Sequence, residues 1–286
     1  MRGGKLRIVI FGSSGMVGQG ALRECLGDRE VGQVVSVVRA PSGKGAHEKL
    51  HEIVHNNFLD FTPIENELAG LDGCLYCLGV TSTGTSEESY ARITHEFTIA
   101  AATTLLKLNP GMSFVFLSGS GADSTESGST MWARVKGKTE NALLAMPFRS
   151  IHVFRPAMIQ PLNGIKSKTA SYRIIYALVA PFLSAARHFW PNYISTTQEL
   201  GKALLAAAKR GTGKRIVEAG QIRELLERVT KPSQDLQATR EARCSAVNSR
   251  LIIHQRIVDA SFRNMSNYRN VTANSSAHID LPHLWP

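Results

Sequence analysis

KLRIVIFGSSGMVG, residues 5–18, runs from an apolar stretch straight into a loop that carries Gly12, Gly15 and Gly18. Leu6, Ile8, Val9, Ile10 and Phe11 form a nearly continuous hydrophobic run, the pattern of a central parallel strand buried on both faces. After Gly18, apolar residues recur at Ala21, Leu22, Cys25 and Leu26, a helical period that closes at Gly27. The glycines therefore stand at a strand-to-helix turn. Main-chain N–H groups and a helix N-terminus meet there, and glycine lets the backbone approach a pyrophosphate closely. The spacing is G-x-x-G-x-x-G, one residue away from the dinucleotide fingerprint, and an ordinary tight turn is the competing reading. On the first reading the phosphate cradle is Gly12, Ser13, Ser14, Gly15, Met16, Val17 and Gly18.

The next element tests that reading, because the second strand of such a unit ends in the residue that reads the adenosine ribose. Val34, Val35, Val37 and Val38 supply the strand, with Arg39 as its last residue. No Asp or Glu occurs between Glu30 and Glu48, so the carboxylate that would hold a free 2′-hydroxyl is missing. Arg39, with Lys44 nearby, suits a 2′-phosphate instead, which points to NADP(H) in preference to NAD(H).

Further out, strand and helix keep alternating. A third strand is expected from about Glu52 to Leu59, followed by Asp60 and Phe61, and a short helix over Pro63 to Leu71. A fourth strand, Gly73 to Leu78, precedes a long helix over Tyr90 to Leu108. The fifth strand is Ser113 to Leu117, the next helix Thr130 to Met146, and the sixth strand Ile151 to Phe154. This alternation predicts an α/β fold, a doubly wound parallel sheet of the Rossmann type with ligands at the carboxyl ends of its strands. Residues 1–220 form the dinucleotide-binding domain, including a substrate lid over 163–195, and 221–286 a helical or disordered appendage.

With 286 residues, 43% of them hydrophobic, the chain is long enough for a large core. Its net charge of +10 comes from Lys and Arg scattered along the sequence, which argues against a nucleic-acid face. The apolar N-terminal run is too short for a secretory leader, and the location expected is cytoplasmic. Four cysteines do not make a disulfide framework in a chain of this length. Cys74 and Cys77 form C-x-x-C, but on a strand they lie about 10 Å apart and face opposite ways, so they read as reduced core thiols. His51, Glu52 and His55 spell H-E-x-x-H, with His47 extending the spacing. The same residues are needed for the third strand, where the two histidines stand about 13 Å apart, too far to share an ion. The motif reads as a chance match, and no metal is expected.

GSSGMVG, Asp60, CLG after the fourth strand, LSGSGAD after the fifth, Lys136 in the following helix and FRPAMI together resemble an atypical short-chain dehydrogenase/reductase. Within that superfamily the chain is similar to the NADPH-binding proteins of the Tat-interacting-protein type, neighbours of the NmrA-like group. The resemblance covers residues 5–220, with ISTTQELGKALL and GKRIVEAGQI as the closing helix and last strand. It implies that Asp60, with Phe61 beside it, contacts the adenine. It also implies that Leu78 and Gly79 pack along the cofactor and that Pro156, Ala157 and Met158 flank the nicotinamide.

The same resemblance implies a catalytic Ser, Tyr and Lys, the last two as Y-x-x-x-K so that the ammonium lies beside the phenol and lowers its pKa. Here the segment is Trp132-Ala-Arg-Val-Lys136, and the tyrosine's place is taken by an indole, which donates a hydrogen bond but is no general acid. Ser118 and Ser120 both remain as candidates for the serine, Lys136 still suits the nicotinamide ribose, and Trp132 reads equally as a substrate contact or as packing. Tyr90 and Tyr172 are alternative phenols without sequence support.

Residues 172–190 are strongly apolar but interrupted by Pro181 and arginines, too short a run for a membrane span. A helical lid over the substrate is the reading, with a peripheral membrane contact or a dimer face as alternatives. All 24 glycines lie at or before Gly220, whereas an average segment as long as 221–286 would hold about five, so this part reads as a separate, partly mobile tail. Two functions remain. One is an NADP(H)-dependent oxidoreductase or epimerase-like enzyme acting on a small carbonyl or hydroxyl compound, monomeric or homodimeric. The other is a non-enzymatic NADPH-sensing regulator that works through a protein partner.

Overall fold

β1 (Leu6–Phe11) is flanked on one side by β2 (Val31–Val38) and on the other by β4 (Gly73–Tyr76), all parallel. The structure, a computed structural model, describes residues 4–41, 43, 47–162, 164–165 and 192–230, the side chains of 229 and 230 excepted. Within these, seven strands form one sheet in the order β3-β2-β1-β4-β5-β6-β9, where β3 is Leu50–Val54, β5 Ser113–Leu117, β6 Ser150–Arg155 and β9 Ile216–Glu218. The chain works outward from β1 to β3 and then returns to β4 on the other side of β1. That reversal opens a crevice at the carboxyl edge between β1 and β4, the switch point at which doubly wound sheets hold their ligands.

The period-2 alternation of the strands divides the core. Ile8, Ile10, Val34, Leu75, Val115 and Phe154 face one side, where they meet α1 (Met16–Gly27), α5 (Thr197–Arg210) and α6 (Ala219–Thr230). Val9, Phe11, Val35, Tyr76, Phe114 and Phe116 face the other, against α3 (Phe97–Leu108) and against Leu143 and Phe148 ahead of β6. Each large side chain buried in this way contributes about 2 kcal/mol. α2 (Glu87–Ala91) passes through one π turn, Arg92–Glu96, into α3, so the expected long helix is present but carries a bulge. α4 (Met131–Leu144) precedes β6, and β7 (Met158–Gln160) pairs with β8 (Ile194–Thr196) in a separate two-stranded parallel sheet.

Two expected elements are shorter than the sequence pattern suggested. β3 stops at Val54, because His55 turns its Nε2 onto the carbonyls of Asn57 (2.7 Å) and Asp60 (2.8 Å) and Asn57 Oδ1 accepts from Leu59 N, which closes a side-chain-built turn. The helix expected over 63–71 is a single 3₁₀ turn, Thr62–Ile64, followed by turns and Gly70 at φ 72°. The first compact unit extends to Thr230 and a second comprises Lys231–Pro286, so α6 continues the first unit beyond Gly220. The lid over 172–190, Tyr172, Lys44 and the tail from 231 lie outside the described residues. No helix among the described residues is long and apolar enough to cross a membrane.

Candidate active site

The glycine turn is built by close approach. Gly12 has φ 77°, and a Cβ there would lie 2.7 Å from the carbonyl carbon and oxygen of Cys77, so the turn lies directly on the chain leaving β4. A Cβ at Gly18 would sit 2.0 Å from the Gly12 carbonyl oxygen, which seats α1 on the turn. Gly15 N donates to Gly12 O at 2.9 Å and Gly15 is the N-cap of α1. No side chain caps this helix and no acidic residue stands in its first turn, so the N–H groups of Met16, Val17 and Gly18 are left for an anion. Ser13 is buried and accepts a hydrogen bond from Ser36 Oγ at 2.7 Å, while Ser14 is half-exposed.

Arg39 follows the last residue of β2, is exposed, and makes no hydrogen bond or ion pair among the described residues. Asp60 is exposed too, and the hydroxyl and main-chain N–H of Thr62 hold its carboxyl below the usual range. Phe61 is 2% exposed, its ring edge-on to Phe11 at 5.8 Å, so it is a core residue behind Asp60 and offers a ligand almost no surface. Leu78 is half-buried, and Gly79 and Val80 are exposed beyond it. Across the crevice Pro156 is buried, whereas Ala157, Met158 and Tyr193 are exposed, with Met158 N donating to Tyr193 O at 3.0 Å. Pairing β7 with β8 thus sets an apolar rim at the carboxyl end of β6.

Beyond β5 the two serines part ways. Ser118 is buried and its hydroxyl donates to Glu140, whereas Ser120 is exposed and its N–H donates to Pro156 O at 2.9 Å. Glu140 is wholly buried on α4 and shared with Arg155 at the end of β6, whose Nε reaches both carboxylate oxygens at 3.1 and 3.2 Å. Arg155 also donates to Ser124 Oγ (2.8 Å) and pairs with Glu218 on β9 (3.1 Å), and the Glu140 carboxylate above all raises its already high pKa. This network was missed in the sequence, although the i, i+4 spacing that links Trp132 to Lys136 continues to Glu140 and could have signalled it.

Lys136 is half-buried, with Nζ 3.2 Å from Leu117 O and 4.9 Å from the centre of the Phe116 ring. Burial pushes its pKa down to about 8, against the opposing pull of Glu140 and Cys77. Cys77 is itself raised to about 12 by burial and stays a neutral thiol. Trp132, one turn earlier, lies over the loop after β5, and a methyl group at Gly121 would stand 3.5 Å from its ring. Tyr90 is buried under α4, with burial raising its pKa, and takes no place in the crevice. His51 and His55, the ends of H-E-x-x-H, part as strand residues do: His51 pairs with Glu67 at 2.9 Å on the surface, and His55 is buried in the turn after β3.

Neither a protein-family model nor a curated sequence matches the chain. Solved structures do match. A short-chain dehydrogenase family protein from Francisella tularensis superposes with TM-score 0.56 at 14% identity, over 77% of this chain and 99% of that one. The fold is that of the short-chain dehydrogenases and sugar-nucleotide epimerases. A UDP-N-acetylglucosamine 4-epimerase from Methanobrevibacter ruminantium, in complex with UDP-N-acetylmuramic acid, matches with TM-score 0.56 at 15% identity over 75% of this chain and 76% of that one. The Bordetella bronchiseptica enzyme WbmG, in complex with NAD, matches with TM-score 0.58 at 12% identity over 80% of each chain. In the short-chain dehydrogenase fold of this chain, the glycine turn, Arg39, Asp60, Leu78, Lys136 and Met158 all lie around the carboxyl edge of one sheet.

Proposed function

We propose that this protein binds a nicotinamide dinucleotide along the carboxyl edge of its sheet and prefers NADP(H). The observation that carries the reading is the pairing of an uncapped helix N-terminus behind Gly12–Gly18 with an exposed, unpartnered Arg39 at the end of the next strand. The pyrophosphate lies over the N–H groups of Met16 to Gly18, and Arg39 meets the 2′-phosphate. Asp60, with Phe61 packed behind it, borders the adenine, Leu78 and Gly79 the middle of the cofactor, and Pro156, Ala157 and Met158 the nicotinamide. Lys136 holds the ribose hydroxyls. A related fold has been solved with NAD, which supports the cofactor class and leaves the phosphate preference to Arg39. In calorimetry NADPH binds at least tenfold tighter than NADH, and Arg39→Asp removes the difference. Equal affinities in the native protein would overturn the assignment of Arg39.

Bound NADPH supplies a hydride to an electrophilic carbonyl carbon. The chain's task is then to bind a small carbonyl or hydroxyl compound between Ser120, Val80, Met158 and Tyr193 and to move one proton to its oxygen. Among the described residues no phenol stands beside Lys136, and Ser118 already gives its proton to Glu140. The same two facts favour the second reading, a cytoplasmic NADPH-sensing regulator acting through a protein partner.

A further inference from the structure

We propose that Lys136 is a nucleophilic amine that captures a small aldehyde or ketone in the crevice as a reversible Schiff base. The inference rests on the geometry of α4, β4 and β5 and stands whether or not the cofactor reading does. A buried lysine is ordinarily tied to a carboxylate, which keeps it a charged, unreactive ammonium. The one carboxylate on its helix face, Glu140, is committed elsewhere: Oε1 accepts from Ser118 Oγ and Arg155 Nε, and Oε2 from Nε and Nη2 of Arg155. The other titratable group facing Nζ is Cys77, a neutral thiol. Among the described residues, what remains for Lys136 is the Leu117 carbonyl at 3.2 Å and the face of Phe116 at 4.9 Å. Desolvation outweighs the pull of the Glu140 charge on the ammonium and leaves the pKa at about 8. At pH 7 about one molecule in ten therefore carries the free amine, whereas a lysine at 10.5 is deprotonated in about one in three thousand. Lys136 is nonetheless only half-buried, so part of the side chain stays open to a small carbonyl compound.

The step balances without an oxidant or reductant. The Nζ lone pair attacks the carbonyl carbon and the C–N bond forms. One amine proton passes to the carbonyl oxygen to give a carbinolamine, which expels that hydroxyl with the second amine proton as one water and leaves a C=N bond that water can reverse.

The test is site-resolved mass spectrometry of the native full chain, treated at neutral pH with butyraldehyde and with cyanoborohydride to reduce and fix any imine. Lys136 should be alkylated at least tenfold faster than Lys138, its exposed neighbour on the same helix, or Lys107, which pairs with Glu65 on the surface. Alkylation of Lys136 at or below the rate of those two overturns the proposal. A parallel arm adds saturating NADPH. Protection of Lys136 supports both the nucleophile and its place beside the ribose. Rapid labelling that persists while calorimetry reports bound NADPH upholds the nucleophile and refutes Lys136 as the ribose ligand.

Discussion

At the residue scale the site is divided between groups that speak through the sequence and groups that speak only in space. The position of Arg39 at the end of β2 was legible because the valine run before it is a local pattern, and so was the turn at Gly12 and Gly18, which is pressed onto the chain after β4. The fate of Ser118 was not legible, since it depends on Glu140 and Arg155, which lie 22 and 37 residues further along. Replacing one partner of that buried ion pair leaves the other charge without compensation, and Glu140→Ala should cost about 3–5 kcal/mol in denaturant unfolding. Ser118→Ala, which removes one donor to a carboxylate still held by Arg155, should cost about 1 kcal/mol. An unchanged midpoint in Glu140→Ala would show that the network contributes nothing. At Trp132 the chemistry is open to repair. A positioned phenol contributes about 10²–10⁴-fold to proton transfer, so Trp132→Tyr should raise NADPH oxidation with a simple aldehyde at least tenfold over a slow native rate. Brisk oxidation by the native protein, unaffected by Lys136→Ala, would mean the proton comes from elsewhere.

Among the elements, α5 shows how much a helix period leaves out. Its start is written locally, in the Thr196–Glu199 capping box, but its seat is set by a backbone contact with α1 that no periodicity announces. A Cβ at Gly20 would lie 2.3 Å from Thr197 O, and one at Gly201 2.8 Å from the Gly20 main chain. Gly201→Val should therefore force the two helices apart at a cost of about 1–3 kcal/mol, read as a lowered thermal midpoint. α6 runs across the compositional boundary at Gly220. The glycines do stop there, yet Ile222 (1% exposed) and Leu225 (8%) are core residues, because hydrophobic spacing and not glycine content decides where packing ends. A chain ending after Thr230 should melt cooperatively and bind NADPH, whereas one ending at Gly220 should lose about 3 kcal/mol or more with those two side chains. Equal stability of the two would make α6 dispensable.

For the molecule as a whole, burial sets a pH limit. Desolvation lowers the pKa of both His152 and His95, so the folded chain keeps them neutral where the unfolded chain takes up protons near 6.5. The unfolded state then binds more protons, and stability present above pH 7.5 is lost as the pH falls through about 6.5. The thermal midpoint should drop between pH 7.5 and 5.5, and by less in His152→Gln; a flat native profile would contradict this. The doubly wound parallel sheet was legible from the alternation of strands and helices; that β9 pairs with β6 across a long excursion of chain was not. Arg155 and Glu218, which face each other across that pair, are 63 residues apart. At about 5–20 residues per second of synthesis, β6 emerges roughly 3–13 s before its neighbour exists. Through that interval its outer edge is an unpaired template beside a hydrophobic Val153 and Phe154, so the nascent chain is most exposed to mispairing, and most in need of a chaperone, at a point when the dinucleotide half is already complete.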